Sequence, residues 1–245
     1  MKTKPTHITL FIQCLVDSLY PEAAEAMVKV FQRLGVSMDC PDGQTCCGQP
    51  AFNSGYWTEA RQAARRFIEV FENSGPIVCP SGSCVDMVRN HYRHLFKDEP
   101  EWLARAEKLG RQTYEFTEFL VDVLAVEDVG ARFEGSVTYH HSCHLNRGIH
   151  ITDQPLKLIE NVAGCTLLEM KDADRCCGFG GTFSVNYPDI STAMAQEKVG
   201  HILDTGADAV VGCDISCLMN IQGILSRQNQ PVKVMHIAQL LEQGR

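Results

Sequence analysis

Three cysteine landmarks recur along this chain at almost constant separation. Cys14, the Cys46-Cys47 pair and Cys84 reappear as Cys143, the Cys176-Cys177 pair and Cys217, displaced by 129, 130 and 133 positions. A glycine follows each vicinal pair, at Gly48 and Gly178. Self-similarity held at three separate points marks an internal duplication. The chain is therefore expected to fold as two similar halves, each gathering cysteines that lie far apart in sequence.

Twelve cysteines in 245 residues need a physical reason. The short apolar stretch Ile8 to Ile12 is broken by Gln13, Cys14 and Asp17, and no small-residue cleavage site follows. A secretory leader is not expected, and the protein is expected in the cytoplasm. Structural disulfides are rare there, so dense cysteine points to metal or redox chemistry. At this length a core forms without covalent staples. The composition, 44% apolar and 21% charged, is that of an ordinary globular protein. It has no apolar run of about eighteen residues, so no membrane span is expected. A net charge of −8 argues against a nucleic-acid partner. Arg61, Arg65 and Arg66 read as one solvated helix face.

Hydrophobic periodicity gives alternating strands and helices. In the first half it predicts strands over 8–13, 36–38 and 76–79, and helices over 21–34, 56–71, 84–96 and 102–109. On the 21–34 helix, Ala24, Met27, Val28 and Phe31 are expected to face the core. The second half repeats the order, with strands over 136–140, 166–170, 209–212 and 232–235. Its helices are expected over 154–162, 189–204 and 217–225. Each half closes with a similar segment, Phe116–Leu120 and Ile237–Leu241. The fold class is α/β: two homologous halves, each a small, mainly parallel sheet covered by helices. The polar stretch 126–135 is the expected boundary, leaving one repeat over 1–125 and the other over 136–245.

The first cysteine set is Cys14, Cys46, Cys47, Cys79 and Cys84; the second is Cys143, Cys176, Cys177, Cys213 and Cys217. Each member falls at a strand's carboxyl end or a helix start. Such positions converge on one edge of an α/β sheet, and helix N-termini favour thiolate. An iron–sulfur cluster needs this combination of soft thiolates and N–H donors. Four thiolates complete a cubane cluster, which leaves Cys79 and Cys213 as spare ligands, partners of an unusual cluster, or bystanders. Structural zinc is chemically sound, but zinc ribbons use two close cysteine pairs. Zinc remains a substitute in oxygen-exposed preparations. A vicinal disulfide would be strained, and no Cys-x-x-Cys redox motif is present. Gly48, Gly82 and Gly178 let backbone approach a cluster, or are simply turn glycines.

Cys40 and Cys165 lie outside both sets and read as buried, inert residues. Around Cys143 stand His140, His141 and His144, which would tune or ligate a cluster, relay protons, or be ordinary satisfied side chains. Gly178-Phe179-Gly180-Gly181-Thr182 fails as a dinucleotide fingerprint, because Phe183 stands where a glycine is required.

Three stretches carry a family resemblance: Cys46-Cys47-Gly48-Gln49-Pro50-Ala51-Phe52-Asn53-Ser54-Gly55, Pro80-Ser81-Gly82-Ser83-Cys84 and Tyr139-His140-His141-Ser142-Cys143. So do Cys176-Cys177-Gly178-Phe179-Gly180-Gly181-Thr182-Phe183-Ser184 and the ending Val232–Ala238. Together they resemble the CCG-domain cysteine-rich proteins, among them the cysteine-rich subunit of heterodisulfide reductase and the iron–sulfur subunit of glycolate oxidase. The two-repeat lactate-utilisation protein A family is the nearer resemblance. It implies an iron–sulfur electron-transfer subunit in a complex that oxidises L-lactate to pyruvate. The implied partners are a larger ferredoxin-like iron–sulfur protein and a small accessory protein. The implied cofactors are two four-iron clusters, cubane or non-cubane. Their ligands would be Cys14, Cys46, Cys47 and Cys84, then Cys143, Cys176, Cys177 and Cys217. A disulfide-reducing subunit and a glycolate-oxidising one are the alternatives. No residue is singled out for hydride or proton abstraction, so any complete active site depends on a partner.

Overall fold

The computed structural model describes residues 4–244. In the first half β1 (His7–Leu10) leads into α1 (Cys14–Leu19) and α2 (Pro21–Arg33), followed by β2 (Ser37–Asp39). Next come α3 (Gln49–Asn53), α4 (Trp57–Phe71), β3 (Ile77–Cys79) and α5 (Gly82–Asp86). A π-helical turn over Met87–His91 joins α5 to α6 (Tyr92–Leu95); then α7 (Pro100–Gly110), β4 (Thr113–Glu115) and α8 (Phe116–Glu118) close the half. The second half runs β5 (Arg132–His140), α9 (Asp153–Glu160), β6 (Ala163–Leu168), α10 (Phe183–Asn186) and α11 (Pro188–Asp204). It ends with β7 (Ala209–Gly212), α12 (Ile215–Arg227), β8 (Lys233–His236) and α13 (Ile237–Glu242).

Two four-stranded sheets result, in the orders β2-β1-β3-β4 and β6-β5-β7-β8, and every pairing is parallel. The expected class, two α/β halves with helix-covered parallel sheets, is what forms. Parallel strands need helical crossovers, which cover both sheet faces.

Several local expectations are corrected. β1 stops at Leu10 because the Gln13 side chain accepts the N–H groups of Leu15 and Val16, opening an α1 that periodicity does not predict. β4 falls outside every expected strand; it is short and ends in the buried Glu115. The buried face of α2 is Ala23, Ala26, Met27, Val30 and Phe31, with Ala24 and Val28 at its edge. The strand expected from 136 starts earlier, inside the stretch 126–135. Val129 and Ala131 are buried, and β5 already begins at Arg132.

One apolar core is shared by both halves. It joins Met27 and Phe31 of α2, Phe116 and Phe119, Leu158 and Ile159 of α9, and Ile237, Leu240 and Leu241 of α13. Phe31 meets Phe116 and Phe119 edge to face, with centroids 5.4 and 6.0 Å apart. Arg33 ties α2 to the mid-chain connection and to the end of α13 by donating to the carbonyls of Val129 (3.1 Å), Leu241 (3.0 Å) and Glu242 (2.6 Å). Separate cores fill the outer faces, one around Phe11, Phe67, Phe71 and Tyr92, the other around Val199, Ile202 and Ile221.

Phe31→Ala should cost about 3–5 kcal/mol, as a large buried aromatic leaves a cavity. Because the core is common, urea unfolding should remain one transition, moved to lower denaturant. Two transitions with only one displaced would contradict a shared core.

Candidate metal centre

Strand β1 and its counterpart β5 deliver Cys14 and Cys143 to the carboxyl edge of their sheets. The loops after β2 and β6 bring the vicinal pairs, and α5 and α12, following β3 and β7, bring Cys84 and Cys217. All eight sulfur-bearing residues line a single cavity of about 350 Å³. The two quartets therefore face each other across one space, which sequence spacing alone does not show.

Within each quartet the thiols form a hydrogen-bonded row. Cys14 and Cys47 donate toward Cys46, and Cys47 Sγ lies 3.5 Å from Cys84 Sγ. Hydrogen bonds from Cys14 and Cys47 hold Cys46 down to about 3, and one from Cys47 holds Cys84 at about 5. The second row repeats this: Cys143 and Cys177 push Cys176 down to about 2, and Cys177 lowers Cys217 to about 6. The donors Cys14, Cys47, Cys143 and Cys177 are pushed up in turn. Each quartet thus carries thiolates that share the protons of their neighbours, protons that a bound cation would displace.

Backbone donors complete the pattern. Gly48 N–H reaches Cys46 Sγ and Gly178 N–H reaches Cys176 Sγ, both at 3.4 Å. Both glycines lie at positive φ, +89° and +84°. A Cβ on Gly178 would fall 2.7 Å from the Ser191 carbonyl, and one on Gly48 would fall 3.1 Å from that of Ala60. All cysteines are free thiols. Soft thiolates in fours, with N–H groups aimed at sulfur, are a donor set that fits a metal or iron–sulfur group.

Cys79 and Cys213 do not join the lining. Cys79 ends β3, fully buried, in contact with Cys84 from behind. Cys213 is fully buried with its sulfur 3.2 Å from the Tyr139 hydroxyl. Burial pushes both thiols well up. The expectation for Cys40 and Cys165 is corrected: Cys40 is exposed and Cys165 only half-buried. Cys40 follows edge strand β2, and Cys165 lies on edge strand β6, where no further strand covers it.

The histidines take different roles. His144 lines the cavity, and its Nδ1 lies 2.6 Å from the Asp86 carboxylate, an interaction that raises its pKa. Burial works to raise Asp86, but hydrogen bonds from His144, His91 and Asn90 outweigh it and hold the carboxyl below its ordinary range. His141 packs edge-on against Tyr139. His140 is buried directly behind the second quartet, within 4.8 Å of the Cys177 and Cys217 sulfurs.

Sequence reasoning missed the floor between the quartets. Asp214, 1% exposed, accepts from Ser81 Oγ (2.7 Å), Ser83 Oγ (2.8 Å) and Ser142 Oγ (2.5 Å). The available signal was positional: Ser81 and Asp214 each stand three residues before the last cysteine of their quartet. Thr182, which lines the cavity, meets Ser54 with Oγ1 and Oγ 2.5 Å apart, joining the loop after Gly180 and Gly181 to the end of α3.

Gly178→Ala should be the more damaging of the two glycine substitutions, at about 1–3 kcal/mol from forbidden φ and steric conflict. Gly48→Ala should cost less, since its neighbour is farther. Thermal denaturation of the two variants compares them, and an equal or reversed order would contradict the packing described.

The family model described as "Cysteine-rich domain" (CCG) matches residues 8–89 and 137–222, one match in each half. A protein of Geobacillus kaustophilus named lactate utilization protein A is 49% identical over 234 residues, covering 96% of this chain and 98% of its own. The protein of that name from an Exiguobacterium strain is 50% identical over 240 residues, covering 97% and 98%. That of Bacillus subtilis is 48% identical over 234 residues, covering 96% and 98%. Among solved structures, a hypothetical protein from Helicobacter pylori shares the fold, with a TM-score of 0.71 at 8% identity. It covers 99% of this chain, which in turn spans 50% of that one. The duplicated cysteine motif, the paired parallel sheets and these near full-length matches agree: the chain belongs to the lactate utilization protein A family of CCG cysteine-rich proteins.

Proposed function

We propose that this chain is an iron–sulfur electron-transfer subunit in the oxidation of L-lactate to pyruvate. Cys14, Cys46, Cys47 and Cys84 would hold one four-iron cluster; Cys143, Cys176, Cys177 and Cys217 would hold the other. The observation that carries this reading is that each half presents four cavity-lining sulfurs, the number a cubane cluster takes. Cys79 and Cys213 stand behind the lining and are not assigned as ligands. The name of the relatives supports lactate as the ultimate donor.

Lactate yields two electrons and two protons on becoming pyruvate, and a pair of one-electron clusters matches that electron count. The chain's own residues would hold the clusters, through the eight cysteines that line the one cavity. Gly48 and Gly178 donate N–H groups to the Cys46 and Cys176 sulfurs. Removal of hydride or proton from lactate is assigned to a partner, and a larger ferredoxin-like protein with a small accessory protein completes the system. No helix among the described residues is long and apolar enough to cross a membrane.

A second reading, a disulfide-reducing subunit, is favoured by the common cavity, which leaves both quartets facing one small molecule. Anaerobic purification separates the two. About eight irons and matching sulfide per chain are expected. EPR signals should appear on adding lactate with the partner proteins. Cys47→Ser and Cys177→Ser should each abolish one cluster signal and spare the other. Stoichiometric zinc without iron after anaerobic handling would overturn the cluster assignment. Clusters oxidised by a small disulfide but silent to lactate and partners would favour the second reading.

A further inference from the structure

The two quartets match sulfur for sulfur, but the walls behind them do not. The repeat places Gly178 on Gly48, and the residues crowding those glycines, Ser191 and Ala60, on each other. Seven positions later on α11 and α4, the same register sets Lys198 against Phe67. His140 precedes Cys143 by the three positions that separate Phe11 from Cys14. In the first half Phe11 and Phe67 are buried and meet edge to face, centroids 4.7 Å apart. Hydrocarbon backs that quartet.

Behind the second quartet both positions are polar, and both side chains are buried, His140 at 1% exposure and Lys198 at 0%. Neither ring nitrogen of His140 has a hydrogen-bond partner, although the ligating atoms of His140, Cys177 and Cys217 all lie within 4.8 Å of one another. A buried polar group left unpaired is costly, so such a ring marks a site that something completes. Lys198 Nζ donates to the carbonyls of Asp172 (2.7 Å) and Ala173 (3.1 Å). Those acceptors are neutral; of the charged groups around the ammonium Cys177 acts on it most strongly, ahead of the Asp174 and Asp172 carboxylates, which offset part of its charge.

We infer that His140 and Lys198 make the second cysteine site the higher-potential of the two. This rests on the reading above, in which both quartets hold iron–sulfur clusters. His140 supplies an N–H donor to the sulfurs at Cys177 and Cys217. Lys198 supplies a fixed positive charge in a low-dielectric wall. A cluster gains one negative charge on reduction, and both groups stabilise that form more than the oxidised one. The first site, backed by two phenyl rings, has neither. One electron then leaves the first site and enters the second, with no other reactant consumed, and the second half is the exit.

The test is an EPR-monitored redox titration of the full chain, reconstituted anaerobically with iron and sulfide and reduced with dithionite. Two one-electron waves are expected. Cys47→Ser should leave the more positive wave, and Cys177→Ser the more negative. His140→Phe, which copies the first half, and Lys198→Met, which keeps the apolar stem, should each move the second wave negative and leave the first in place. His140→Gln retains an N–H donor and should fall between. If His140→Phe loses its second cluster, Lys198→Met decides alone. Waves that neither His140→Phe nor Lys198→Met moves would overturn this inference and leave the cluster reading intact. A reconstituted chain without iron would overturn both.

Discussion

The Asp214 carboxylate holds the two halves at the point where their chemistry meets. It is buried, and its partners Ser81, Ser83 and Ser142 come from both sides of the duplication. Ser81 also caps α5 by accepting the Cys84 N–H, so the carboxylate indirectly sets the orientation of Cys84. Ser142 lies between Asp214 and the Cys217 sulfur. Hydroxyl and amide donors from separate elements satisfy a charge that would otherwise be costly in the interior. Removing it would leave the hydroxyls of Ser81, Ser83 and Ser142 without their shared acceptor.

Around that point the chain uses apolar burial differently on the two faces of each sheet. The inner faces merge into one core, which fixes the relative placement of the quartets to within side-chain packing. The outer faces are filled by each half's own helices and are free to differ. That is where phenylalanines on one side are answered by a histidine and a lysine on the other. Geometry is therefore held in common, while the electrostatic surroundings are set half by half.

The cysteine quartets were legible because so many thiols in one chain are rarely accidental and because their spacing repeats. Strand–helix alternation was legible for the same reason that parallel sheets are: buried strands read as apolar runs. What escaped reading was polar and buried. β4 carries Glu115, whose carboxyl is pushed up to about 8 by burial and which caps α8 instead of facing water. Lys198 reads as a surface residue, and only the fold shows its ammonium turned onto backbone carbonyls. Asp214 carries no local sequence signal, and only the fold gathers Ser81, Ser83 and Ser142 around it. His140 was visible within a histidine-rich segment, but nothing local distinguished it from His141 or His144. Side-chain direction, set by β5 and its neighbours, makes that distinction.

The helix exchange between the halves bears on how far they can diverge. α2 of the first half packs on α13 of the second, and α9 of the second packs on α8 of the first. Each half's early helix thus rests on the other half's last, the reciprocal contact of a twofold-symmetric pair. Two half-length copies paired as a homodimer would make the same contacts. In such a pair any substitution would appear on both sides at once. A single chain carries no such constraint, and the matching positions can differ, as Phe11 and His140 do.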